Sequence, residues 1–173
     1  MKVTDPGNFL MASLNKFFSE DDNLINMLKV LNSESMSLRT LDWFVSNFSK
    51  KNNIIYTTDD DRMFNVFMEY KAQLKSYSKK WFDPFCRGPR LNYKDIDGKE
   101  FSTTIGQLNF LRWALKNDVV KNCIKNIKHI EEDMANSTKI RKTSEQGDKR
   151  RELSKAALKR CINLNTRVTI KFE

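Results

Sequence analysis

Apolar residues recur at helical spacing along most of the first 134 positions, and then the pattern stops. Phe9, Leu10, Leu14, Phe17 and Phe18 share one stripe, and Leu24, Ile25, Leu28 and Leu31 share another, which predicts short amphipathic helices over 8–18 and 23–31. SEDDN between them supplies a cap and first-turn acids for the second helix. Leu38, Leu41, Phe44, Val45 and Phe48 continue the helical spacing, and the β-branched and aromatic run NIIYTT predicts a strand. TDDDRMFNVFMEYKAQLKSYSKK reads as one long helix. Its acids fall in the first turn, its lysines in the last, and Phe64, Phe67, Tyr70, Leu74 and Tyr77 point inward.

Asp83-Pro84 and Gly88-Pro89 end that helix. RLNYKDIDGKEFSTT then predicts a β-hairpin near 90–104, turning at Asp97-Gly98, where the left-handed backbone favours glycine. Thr103 or Thr104 caps a helix over 105–117. Its apolar residues Ile105, Leu108, Leu111, Trp113, Ala114 and Leu115 cover most of its circumference, as expected of an element central to a core. A further helix follows with Val120, Cys123, Ile124, Ile127 and Ile130 inward. The expected fold is mainly α (α+β). A compact helical domain with its hairpin spans 1–135, a basic linker 136–150, and a short helix with a terminal β-strand 151–173. In that strand Val168, Ile170 and Phe172 alternate with Arg167, Thr169 and Lys171.

Charge changes this picture at one place only. The net charge is +9, and residues 137–160 hold nine basic side chains against three acidic ones, so an electrostatic partner is expected to meet that region first. Lys139, Arg141, Lys142, Lys149, Arg150, Arg151, Lys155, Lys159 and Arg160 make up the cluster. Cys86, Cys123 and Cys161 are odd in number and lack metal-ligand spacing, so they read as reduced thiols and not as a disulfide framework. The start of the chain lacks a signal-peptide pattern and no stretch reaches transmembrane length, so a soluble protein with no membrane span is expected.

Motifs for phosphate cradles, hydrolase nucleophiles, zinc or calcium are missing from the sequence, and neither a cofactor nor a metal is expected. Asp59, Asp60 and Asp61 read as helix-capping acids. HIEED at 129–133 reads as a solvated helix face beside a half-buried His129. FDPFCRGPR is the densest constellation. Asp83, Arg87 and Arg90 could form a charged pocket under Trp81, Phe82 and Phe85, or the aromatics interleaved with arginine could clamp unpaired bases; an enzyme acting through Asp83, Arg87, Gln107 and Arg112 is the least favoured reading. The structural alternative makes the aromatics an anchor for the hairpin, with Asp83 pairing with an arginine or capping a turn. Gln107 and Asn109 then tie down loop backbone, with Trp113 buried at the centre of the organising motif.

The series LDWFVSNFSKKNNIIY, FNVFMEYKAQLKSYSKKWFDPFCRGPR, TTIGQLNFLRWAL and HIEEDM, followed by KRRELSKAALK and RVTIKFE, resembles a family of small proteins of nucleocytoplasmic large DNA viruses. The resemblance covers roughly 38–173. It implies a virion component of minor capsid type, non-enzymatic, that contacts other structural proteins such as the major capsid protein in an oligomer or lattice. Its place would be the virion, and the host cytoplasm or nucleus during assembly. No catalytic residues carry over. The alternative is a nucleic-acid-binding protein for genome packaging or transcription, using the basic cluster.

Overall fold

The computed structural model describes residues 6–146, Ile96 excepted. The chain divides into two units, Met1–Met134 and Ala135–Glu173. The first is a mainly helical domain with two small antiparallel sheets. Helices α1 (Pro6–Phe18) and α2 (Asp21–Leu31) fall where the apolar stripes predict, with Asp21 and Asp22 in the first turn of α2. Leu14, Phe18, Leu24, Met27 and Val30 are buried, whereas Phe9, expected in the first stripe, is 66% exposed.

The next helical stretch is interrupted. Ser37 caps α3 (Leu38–Trp43) by accepting from the Thr40 N–H, and a π-helical turn (Phe44–Phe48) separates it from α4 (Ser49–Asn52). The Ser46 and Ser49 hydroxyls donate back to the carbonyls of Asp42 and Val45, a bond that competes with the regular ladder. Phe44, Val45 and Phe48 remain in the core throughout. Asn53, in the left-handed conformation, ends α4.

Beyond it the sequence reading needs correcting. Asp59, Asp60 and Asp61 are not first-turn acids of a helix. They occupy the turn of a hairpin in which β1 (Ile55–Thr57) pairs with β2 (Met63–Asn65). Tyr56 lies opposite Phe64, their rings in tilted contact with centroids 5.4 Å apart, which draws residues 63–65 out of the helix that their spacing suggested. Helix α5 (Val66–Trp81) starts only after Asn65, whose side chain accepts from the Met68 N–H. It kinks at Ser78, where φ is 56°, and Tyr70, Leu74 and Tyr77 pack half-buried.

The second hairpin stands as expected. β3 (Arg90–Lys94) pairs with β4 (Glu100–Thr104), and Gly98 takes φ 76° in the turn. The two hairpins form separate sheets, so NIIY does not extend this one. Thr104 caps α6 (Ile105–Lys116), accepting from the Gln107 N–H. Gly106 lets the start of α6 approach the chain at 80–83: a Cβ there would meet the Lys80 carbonyl at 3.2 Å. Gly106 through Leu111, Trp113 and Ala114 are buried, and α1, α2, α5 and α7 (Val119–Lys125) all pack on this helix. Burying each of Phe44, Phe64, Phe82 and Phe110 contributes about 1.5–3 kcal/mol to the stability of the core.

The last predicted helix is two. α7 ends at Asn126 and α8 (Ile127–Gln146) follows, so Cys123 and Ile130 are buried while Ile124 is 39% exposed. His129 is exposed, not half-buried, because the inward positions of α8 fall to Ile130 and Asp133 instead. Residues 136–146, expected as linker, continue α8 without a break. No glycine or proline intervenes before Gly147, and Lys139, Arg141, Lys142, Glu145 and Gln146 are good helix formers. The helix and strand expected over 151–173 lie outside the described residues, including Val168, Ile170 and Phe172.

Candidate functional site

The densest constellation in the sequence proves to be internal scaffolding. Asp83 is 7% exposed and accepts from both Nε and an Nη of Arg87, a paired geometry that neutralises the carboxylate on the spot. The Arg87 guanidinium lies over the Phe85 ring. Gln107 donates to the Pro84 carbonyl at 2.9 Å and accepts from the Thr103 hydroxyl at 3.0 Å. Asn109 donates to the Trp81 carbonyl at 2.9 Å. Both amides hold the proline-punctuated crossing against α6. Phe82 sits among Tyr70, Tyr77, Phe110 and Trp113. Arg90 does not join this group: it is exposed at the start of β3.

Two ionisable groups beside this centre are perturbed. Burial raises the Asp42 carboxyl above 3.8, with Arg87 opposing and Asp83 adding to the rise. Burial, then the charges of Asp42 and Asp83, pushes the Tyr70 hydroxyl up to about 12. At the far end of α6, Lys121 bridges Asp59 and Asp118, and Asp118 also accepts from the Asp59 N–H at 3.1 Å. Burial alone would raise Asp118, but the bonds from Lys121 and Asp59 outweigh it and hold the carboxyl below 3.8. The Cys123 thiol is pushed up to about 12 by burial and is inert at neutral pH.

A second group of residues converges on an open groove of about 750 Å³. Asn109, Arg112, Trp113, Lys116 and Asn117 form one side, at the i, i+3, i+4, i+7, i+8 spacing of a single face of α6. Ser13, Lys16, Phe17 and Glu20 enter from α1 and its end, Asp60 and Arg62 from the first hairpin, and Glu69, Gln73 and Tyr77 from α5. Arg112 donates to Ser13 Oγ at 2.8 Å and to Asn109 Oδ1 at 2.7 Å. Arg62 donates to Asn117 Oδ1, and its guanidinium lies 5.2 Å from the centroid of the Phe64 ring. Asn117 is itself fixed by donating to the Trp113 carbonyl. Trp113 is 5% exposed, and its indole N–H has no acceptor among the described protein groups.

Of these, sequence reasoning singled out only Asn109, Arg112 and Trp113. The polar face of α6 is legible in the spacing; Lys16 and Arg62 reach the groove from chain positions far from it. Of the basic cluster, Lys139, Arg141 and Lys142 lie on α8, with Lys139 exposed. Lys149, Arg150, Arg151, Lys155, Lys159 and Arg160 lie outside the described residues.

The chain belongs to a family of unknown function, DUF7197, matched over residues 2–167. It is 45% identical to an uncharacterised protein, L507, of Acanthamoeba polyphaga mimivirus, over 80% of this chain. The chain spans about 58% of the length of that relative. This is a giant-virus family. No solved structure matches the chain.

Proposed function

We propose that this protein is a structural component of a giant-virus particle, a minor capsid-type protein that contacts other structural proteins such as the major capsid protein within a lattice. The observation that carries the reading is an exposed apolar face on the first hairpin. Ile55 is 45% exposed, Met63 70%, and Met68, in the first turn of the helix that follows, 63%. Backbone bonds from Thr58 to Arg62 and from Val66 to Ile54 set the ladder phase. The N–H and C=O groups of Ile55, Thr57 and Met63 therefore point away from the partner strand, and no further strand pairs with this sheet among the described residues. A two-stranded ribbon with Ile55 and Met63 on its outer face suits a strand added by another protein, with main-chain bonds giving affinity. Membership of a giant-virus family supplies the setting.

Mass spectrometry of purified virions, separated into shell and core, tests the role: the protein is expected in the shell. Met63→Lys with Met68→Lys should abolish incorporation while leaving the isolated protein's melting unchanged. Absence from particles would end the reading.

A second reading, nucleic-acid binding for packaging or transcription, is favoured by one feature. Residues 136–146 carry Lys139, Arg141 and Lys142 on a continuous helix. Recovery in the core, with strongly salt-dependent DNA binding that weakens when Arg141 and Lys142 become Ala, would favour it instead.

A further inference from the structure

The groove on α6 has a property that the scaffold around Asp83 lacks. Its four cations, Lys16, Arg62, Arg112 and Lys116, form no ion pair with any carboxylate among the described residues. The arginines are nevertheless held in place. Ser13 and Asn109 anchor Arg112, Asn117 anchors Arg62, and all three acceptors are neutral. A guanidinium fixed by neutral acceptors keeps its full charge and most of its five donors for another partner. Arg87, neutralised by Asp83, shows the opposite arrangement in the same domain.

We propose that this groove binds a nucleoside phosphate, with Arg62 and Arg112 holding the phosphate and Lys16 and Lys116 adding charge. The planar guanidinium fork matches phosphate oxygens in paired geometry. The volume of about 750 Å³ lies in the range of small-molecule sites and accommodates a nucleotide. Phe17 and Tyr77, both half-buried, offer aromatic surface for a base. Glu20, Asp60 and Glu69 line the same space and can accept from base amino groups and ribose hydroxyls. Those three carboxylates disfavour a continuous phosphate backbone, and so favour a ligand charged at one end over a nucleic-acid strand. The site is independent of the protein's place in a particle.

Calorimetric titration of the full chain with adenosine triphosphate, inorganic triphosphate and a ten-nucleotide deoxythymidine strand tests the proposal. Saturable binding of adenosine triphosphate is expected, tighter than that of inorganic triphosphate. Arg62→Gln and Arg112→Gln should each weaken it roughly tenfold or more, the loss that follows from removing a charge-assisted bond. Lys116→Gln, at an exposed position, should weaken it less and leave melting unchanged, so a loss there reports the site and not the fold. If the strand binds more tightly with the same arginine dependence, the phosphate site stands and its source is nucleic acid. Failure of both to saturate at millimolar concentration, or binding that the arginine variants leave unaltered, overturns it.

Discussion

Near its N-terminus, α6 turns Gln107 and Asn109 inward, where they bind backbone carbonyls of the crossing at 81–84; further along the same helix, Arg112 and Lys116 face a groove with no carboxylate partner. The chemistry of the side chains does not account for the difference, since amides and cations both seek partners. Position does. The first turns of α6 are covered by the chain entering from α5, which brings unpaired carbonyls within reach, whereas the later turns are flanked by α1 and the first hairpin with space between them. A polar residue beneath a loop becomes part of the scaffold, and the same kind of residue beside a gap is left available.

Trp113 stands between the two regions and gives the strongest test. Trp113→Ala should cost ~3–5 kcal/mol, because it empties the space among Phe64, Tyr70, Phe82 and Phe110. Denaturant unfolding measures it, and a loss below 1 kcal/mol would contradict the central place given to α6. Gln107→Ala should cost about 1–3 kcal/mol by leaving the Pro84 carbonyl without its donor in a buried site. A neutral outcome would remove the scaffold role from that amide.

Smaller effects separate the two kinds of charge by pH. Asp42 binds its proton more tightly in the folded protein than in the unfolded chain, so its ionisation weakens the fold as pH rises through its raised pKa. Asp42→Asn should therefore raise the melting temperature at neutral pH, with the gain shrinking as pH falls towards 3.8. Asp118 has the opposite sign. Its stabilising contribution is present above 3.8 and is lost as pH falls through its lowered pKa, so Asp118→Asn should lower melting at neutral pH and converge with the unaltered protein in acid. Melting curves across pH check both. Least of all, Lys16→Gln or Lys116→Gln should change stability by no more than about 0.5 kcal/mol, since these exposed side chains hold nothing in place. A larger loss would mean that the groove, like the Asp83 centre, is part of the scaffold.

Much of the scaffold was legible in the chain. Apolar spacing located α1, α2 and α6, and Asp97-Gly98 located the second hairpin, because these signals are local: each residue's environment follows from neighbours three or four positions away. The pairing of Asp83 with Arg87, four positions on, is equally local, whereas the tie-down by Gln107 and Asn109 spans 23 and 28 positions and was suggested by amide chemistry near a helix start. Reading failed where distant residues decide. Helical spacing of Phe64 with Phe67 concealed a strand, because Tyr56 pairs with Phe64 across a turn and the Phe64 ring packs against both Tyr56 and Trp113. The groove stayed hidden for the same reason. Ser13 and Arg112 are 99 positions apart and Arg62 and Asn117 are 55 apart, so only the packing of α1 and the first hairpin against α6 could bring four cations to one surface.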